Sequence, residues 1–170
     1  IMKKAIADGT RDLIRRHRVE DITVTQICET TGVNRRSFYR YFRDKFDVIN
    51  WIYYHDALIH FDHYDGWSIF DYMPRIMSSL YADRQYYLNA LRYQGQNSFR
   101  DYCTGCLQPL FQPHYAGVFS DSVQLEFFIR HLCEMTYDAC VAWLSSEPCK
   151  SPQDFTAEYA DFLVRAFSTS

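Results

Sequence analysis

The strongest constraint on this chain is a pair of helix starts divided by a single glycine. Thr23-Val-Thr-Gln26 sets a threonine hydroxyl and a glutamine amide three residues apart, so each side chain satisfies a backbone amide that the first helical turn leaves open. Ile22 and Ile27 flank this box at the positions of a hydrophobic staple. Gly32 supplies the left-handed residue that stops a short helix. Val33 is the apolar turn residue, and Asn34 is a good cap for a second short helix from Arg35 to Phe42. Two short helices around so tight a turn have the dimensions of a unit that places its second helix in a DNA major groove, about 12 Å wide.

The rest of the sequence also predicts helices. A first helix is expected from about Lys3 to His17, with Ile6, Thr10, Leu13 and Ile14 on one face. Asp44 caps a fourth helix from Lys45 to about Phe61, and His63-Tyr64-Asp65-Gly66 breaks the pattern. Helices are then expected from Ser68 to Leu80, Arg84 to Arg92 and Ser98 to Phe111. A loop from Gln112 to Asp121 carries Pro113 and Gly117, and a long helix runs from Ser122 to Ser145. The last helix begins at Ser151-Pro152, a cap followed by a first-turn proline, with Asp154 at its positive end. The expected fold is all-α, with a three-helix DNA-binding domain over residues 1–46 and a helical bundle for effector binding and dimerisation over 47–170.

Charge separates the two parts. Residues 1–50 hold eleven Lys and Arg against seven Asp and Glu, a net +4, while the remainder carries −7. A basic head on an acidic body directs only the head toward a polyanion. Within Asn34–Phe42, Phe38 and Phe42 are four apart and pack inward, with Tyr41 beside them at the three-residue spacing. Arg35, Arg36, Ser37, Tyr39 and Arg40 then project outward. Arginine forks onto guanine edges, and seryl and tyrosyl hydroxyls donate to phosphates.

The segment Ile22-Thr-Val-Thr-Gln-Ile-Cys-Glu-Thr-Thr-Gly-Val-Asn-Arg-Arg-Ser-Phe-Tyr-Arg-Tyr-Phe-Arg-Asp-Lys45 resembles the DNA-binding segment of TetR-type regulators. It has their threonine-rich helix start, Gly-Val turn, Tyr-x-x-Phe ending and following lysine, and the resemblance covers about residues 4–52. It implies an all-helical homodimer on double-stranded DNA whose body answers an unknown small-molecule or protein effector. By the same resemblance Thr25 and Tyr39 contact phosphates, and Lys45 meets the DNA backbone at its helix start. Arg35, Arg36, Ser37 and Arg40 face the groove. Arg36 and Thr31 depart from the pattern, which commonly has a small residue and an alanine there. The Arg35-Arg36-Ser-Phe-Tyr run, with Trp51 soon after, is similar to a DhaS-like subgroup that includes activators working with a protein partner.

In the body, the last helix carries an apolar stripe of Phe155, Tyr159, Phe162, Leu163, Ala166 and Phe167, and the helix before it is apolar on more than one face. A four-helix dimer interface is expected from them, with Ala139, Cys140, Trp143, Tyr159, Phe162 and Leu163 at its centre. Trp51, Tyr54, His55, Tyr87 and Phe99 are candidates to line an effector pocket, with packing in an ordinary core as the other use of such residues.

Other chemistries find little support. His60-Phe-Asp-His63 sets two imidazoles one turn apart, and Cys103-Thr-Gly-Cys106 has a redox or zinc spacing without a second pair. No metal or cofactor is expected. The sequence holds no phosphate-cradling glycine loop, nucleophile elbow or HExxH, so an enzyme is not expected. The alternative is a protein-interaction module whose helix-turn-helix has lost DNA binding. No apolar run reaches the ~20 residues of a membrane span. Nothing resembles a signal peptide, and the cysteines read as buried reduced thiols, so a cytoplasmic location is expected. Ile1 in place of methionine implies that the natural N-terminus lies upstream.

Overall fold

Helix α1 (Met2–Arg16) forms because Ile6, Ala7, Thr10 and Ile14 recur at helical spacing, and all four are buried. These residues belong to a computed structural model that describes residues 1–59, 67–95 and 98–167. A 3₁₀ turn at Val19–Asp21 leads into α2 (Val24–Thr31). The expected capping box is complete. The Gln26 amide nitrogen donates to Thr23 Oγ1 at 3.2 Å, and the Thr23 amide donates to Gln26 Oε1 at 2.7 Å. Gly32 ends α2 at φ 67°, the left-handed region where a Cβ is costly. Asn34 Oδ1 accepts from the Ser37 amide at 2.8 Å and starts α3 (Arg35–Tyr41). Asp44 does the same for α4 (Lys45–Tyr53), accepting from Asp47.

Beyond Tyr53 the helix is wound more loosely. Tyr54–Leu58 form a π-helical turn in which the Ile59 amide reaches back to Tyr54 O at 2.7 Å. The expected α-helix to Phe61 is therefore corrected at this point, and its last residues and the His63–Gly66 break lie outside the described residues. Then come α5 (Ile69–Ala82), α6 (Arg84–Arg92), α7 (Phe99–Tyr115), α8 (Ser122–Ser145) and α9 (Pro152–Phe167). No strand occurs among the described residues. Helix α7 overruns its expected end at Phe111 and carries Pro109 and Pro113 inside it. Proline disfavours a helix interior, but Phe111 and Tyr115 are both buried, and Tyr115 packs on Phe128 of α8 at 5.0 Å. Burial of that last turn overrides the local preference.

The chain divides into two compact units, Ile1–Ile59 with Asp83–Tyr102, and His60–Ala82 with Cys103–Ser170. In the first, α1 packs against α2, α4 and α6. Gly9 makes the α1–α2 approach possible: a Cβ built there would lie 2.2 Å from the methyl of Thr31. A part-buried ionic network ties α1 to α6 and the π turn. Arg11 grips both carboxylate oxygens of Asp56, at 2.9 and 3.0 Å, and reaches Asp83 at 3.0 Å. Arg15 forks onto Asp83 at 2.9 and 2.8 Å, and the Tyr87 hydroxyl donates to Asp56 at 2.7 Å. Burial opposes the charge on Asp83, but Arg15 and Arg11 outweigh it and hold the carboxyl below its ordinary range.

In the second unit α5 packs on α9, and ring stacking dominates. Trp143 lies between Tyr81 at 6.0 Å and Phe155 at 4.5 Å, and Phe155 stacks in turn on Tyr159 at 5.9 Å. Tyr159 and Thr136 share a hydrogen bond at 2.9 Å. Burial raises the Cys133 and Cys140 thiols to about 12, so both behave as apolar packing groups.

Candidate nucleic-acid interface

The site is built on a floor of aromatic rings. Phe38 and Phe42, at 0% and 3% exposure, anchor the inner side of α3, and Phe42 meets Trp51 of α4 edge-on at 6.0 Å. Those anchors leave Arg35, Arg36, Tyr39 and Arg40 exposed, with Thr25 exposed on α2 and Ser37 half-buried. Tyr41, expected to pack inward, is 39% exposed. It lies on the open side of a helix only two turns long, whose inner face the two phenylalanines already fill.

The outward residues differ in their surroundings. Arg35 Nη1 donates to Thr25 Oγ1 at 2.8 Å, its Nη2 lies 3.4 Å from the Tyr39 hydroxyl, and its guanidinium sits 5.9 Å from the Tyr39 ring. Arg36 and Arg40 have no hydrogen-bond or ion-pair partner among the described residues. Arg43 is turned back to Asp47, which accepts from its amide at 3.0 Å and from its guanidinium at 3.4 Å.

Lys45 stands at the start of α4, with its side chain turned back to the turn before α2. Its ammonium donates to the carbonyls of Val19 at 2.5 Å, Ile22 at 2.7 Å and Glu20 at 3.3 Å. Three carbonyls use all three of its donors. Burial lowers its pKa against the raising charges of Glu20, Asp21 and Asp44. The lysine thus fastens the turn before α2 to the start of α4.

The effector-pocket candidates differ in their surroundings. Tyr87 and Phe99 are buried and stack on each other at 6.4 Å, while Trp51 stacks on the exposed His55 at 3.9 Å and Tyr54 is half-buried. A cleft of 360 Å³ in the same unit is lined by other residues, among them Arg43, Asp44, Phe46, Asn50 and Tyr102. Packing is the role the structure gives to Tyr87 and Phe99.

The expected dimer residues differ in exposure within the single chain. Cys140, Trp143, Tyr159 and Leu163 are buried within the second unit itself, so their apolar surface is spent inside one chain. Ala139 is half-buried and Phe162 is 47% exposed. The large apolar groups left outward on α8 and α9 are Val123, Phe127, Phe162 and Val164. The α9 stripe was legible, but periodicity alone cannot say whether its partner is α5 or a second subunit.

Among the described residues no group of three or more His, Cys, Asp and Glu could hold a metal, and His60 and His63 lie outside them. Cys103 is buried on α7, where burial pushes its thiol well up. No described helix is long and apolar enough to cross a membrane.

Sequence reasoning missed Gly9 and the acidic partners of Arg11 and Arg15. Their separations along the chain, 45 residues for Arg11 to Asp56 and 68 for Arg15 to Asp83, leave no local signal.

Residues 6–50 match the family of bacterial regulatory proteins, tetR family. The HTH-type dhaKLM operon transcriptional activator DhaS of Lactococcus lactis subsp. lactis (strain IL1403) is 33% identical over 56 residues, which span 33% of this chain and 30% of that protein. The match thus spans less than a third of that relative's length. A solved structure, the dihydroxyacetone kinase operon activator DhaS, superposes with a TM-score of 0.65 at 18% identity, over 98% of this chain and 96% of that one. That likeness shows a shared fold over nearly the whole length. Residues 6–50, the helix-turn-helix segment, are thus similar to the DNA-binding part of the tetR family of bacterial regulatory proteins, and the fold over nearly the whole chain is DhaS-like.

Proposed function

We propose that this protein controls transcription as a symmetric homodimer that reads a two-fold DNA site, its affinity set by an effector bound by the body. The observation that carries the reading is the exposed cationic face of α3, held by two buried phenylalanines and presented by two capped helix starts. Arg36 and Arg40 face outward with no partner among the described residues, as side chains that fork onto base edges must. The curated relative is named an operon activator, which supports control of transcription as the output. Two-fold symmetry suits this reader, because recognition helices about 34–36 Å apart meet successive major grooves. The outward Val123, Phe127, Phe162 and Val164 supply apolar surface for the second subunit. The effector is a small molecule or a protein partner, and it acts only by preferring one body conformation over another.

The test is selection of bound duplexes from a random DNA pool, with affinity followed against salt. A palindromic site with a steep salt slope is expected, since each neutralised phosphate releases counterions. Arg36→Ala should cost about 1–3 kcal/mol on that site and relax one base position. No enrichment at low salt would refute DNA reading and leave a protein-interaction module in its place.

A further inference from the structure

The cleft of 360 Å³ in the first unit is lined from the starts of α4 and α7. That volume lies at the small end of ligand sites, about 300–1,000 Å³. Three of its lining residues are acids, Asp44, Asp47 and Asp101, against one base, Arg43. The sign is opposite to that of residues 1–50 as a whole, which carry net +4. Existing bonds take only part of what the acids can accept. Asp44 Oδ1 accepts from the Asp47 amide at 2.8 Å, and Asp101 Oδ2 accepts from the Ser98 hydroxyl at 3.1 Å. A carboxylate offers about four acceptor positions, so one such bond does not exhaust it. Asp47 holds Arg43 loosely, since the guanidinium lies 3.4 Å away and the arginine side chain is 86% exposed.

A second, independent observation asks for a donor. Asn50 lines the same cleft, and its Oδ1 atom is buried with no hydrogen-bond partner. A buried acceptor left without a bond costs its desolvation and calls for an explanation. The outer torsion of an asparagine is soft, so a small turn offers this oxygen to a group in the cleft. The acids do not gather round one point, because among the described residues no group of three could hold a metal. A compact ion is therefore a poor match. An elongated cation with N–H donors is a good one, and Phe46 in the wall gives its carbon chain an apolar face. We propose that this cleft binds a small protonated alkyl amine or guanidine, which competes with Arg43 for Asp47. Arg43 stands two residues beyond α3, so its release adds a cation beside the recognition helix. In that respect the proposal rests on the DNA reading and names a chemical class for the effector. The binding itself does not rest on it.

The experiment titrates the full chain, without DNA, by isothermal calorimetry against three probes. Agmatine carries an amine and a guanidine, n-butanol is a neutral chain of similar length, and tetramethylammonium is a cation without N–H groups. Saturable binding of agmatine is expected, with none of n-butanol and weaker binding of tetramethylammonium. Asp101→Asn should weaken agmatine by roughly three- to ten-fold, as for a charged bond partly screened by water. Arg43→Ala should tighten it several-fold, because the competitor for Asp47 is gone. Asn50→Leu should keep or raise the melting temperature of the unliganded chain while weakening agmatine, two opposite signs that a purely structural asparagine does not give. Circular dichroism checks that each variant stays helical. No saturable heat with agmatine at millimolar concentration, equal binding of n-butanol, or an affinity unmoved by both Asp101→Asn and Arg43→Ala would each overturn the site. A failed duplex selection would refute the DNA reading and leave these binding outcomes as they stand.

Discussion

Replacing Gly9 by alanine tests how the helix-turn-helix is held. On propensity alone, Gly→Ala inside α1 should stabilise by about 1 kcal/mol. The structure argues the other way, because the new Cβ would lie 2.2 Å from Thr31 Cγ2, where carbon atoms rest at about 3.5–4.0 Å. Thr31 cannot yield cheaply. Its χ1 is stiff, and rotation would give up the bond from its hydroxyl to Ile27 O at 2.8 Å. Overpacking of this kind costs about 1–3 kcal/mol, which cancels or exceeds the propensity gain. The sharper expectation is a change of sign. In the wild type, Thr31→Ala removes a packed methyl and should destabilise by about 1 kcal/mol. In the Gly9→Ala background it relieves the clash and should stabilise, so the coupling reaches about 1–3 kcal/mol. Thermal unfolding by circular dichroism at fixed protein concentration reads this, at about 2–4 °C per kcal/mol for a chain of this size. Equal effects of Thr31→Ala in both backgrounds would refute the idea that Gly9 exists to admit the Thr31 methyl.

Asp83→Ala leaves Arg11 and Arg15 without a shared partner and should destabilise by about 2–4 kcal/mol, at or below the usual range for breaking a buried pair because Arg15 keeps contact with water. Since the folded carboxyl titrates below its ordinary range, its contribution is complete above about pH 4 and is lost as pH falls through the depressed value. Urea unfolding across that acid window should be steeper in pH for wild type than for Asp83→Asn, and equal slopes would sink the assignment. Phe162→Glu and Leu163→Ala should differ although adjacent. The first, on an exposed ring, should convert the proposed dimer to monomer in sedimentation and leave the melt of that monomer cooperative. The second empties a fully buried site and should cost about 2–5 kcal/mol. A dimer unmoved by Phe162→Glu places the interface elsewhere.

What could be read from the sequence was local. Thr23 with Gln26, Gly32, Asn34 and Asp44 each act within four residues, so the chain's own spacing announces them, and α2, α3 and the start of α4 stand where those residues put them. Long-range demands were hidden. Pro113 signals a break, yet the ring packing of Tyr115 on Phe128 keeps α7 going. Nothing in the order Tyr53-Tyr-His-Asp-Ala-Leu58 announces π winding. A tertiary observation goes with it: Asp56 lies in that turn, gripped by Arg11 and Tyr87 from two other helices.

The same division explains the candidate site. Sequence could show which residues of α3 face outward, because the positions of Phe38 and Phe42 fix the inner face. It could not show how outward cations are spent. Of the four cationic candidates Arg35, Arg36, Arg40 and Lys45, Lys45 is used up by three backbone carbonyls, and the neighbouring Arg43 turns back to Asp47. Arg35 is drawn to two hydroxyls, and Arg36 and Arg40 have no partner among the described residues. A basic run on a recognition helix is therefore not a list of equivalent contacts. Where an arginine has no partner of its own, the geometry of a base edge must supply the whole recognition, and specificity concentrates there.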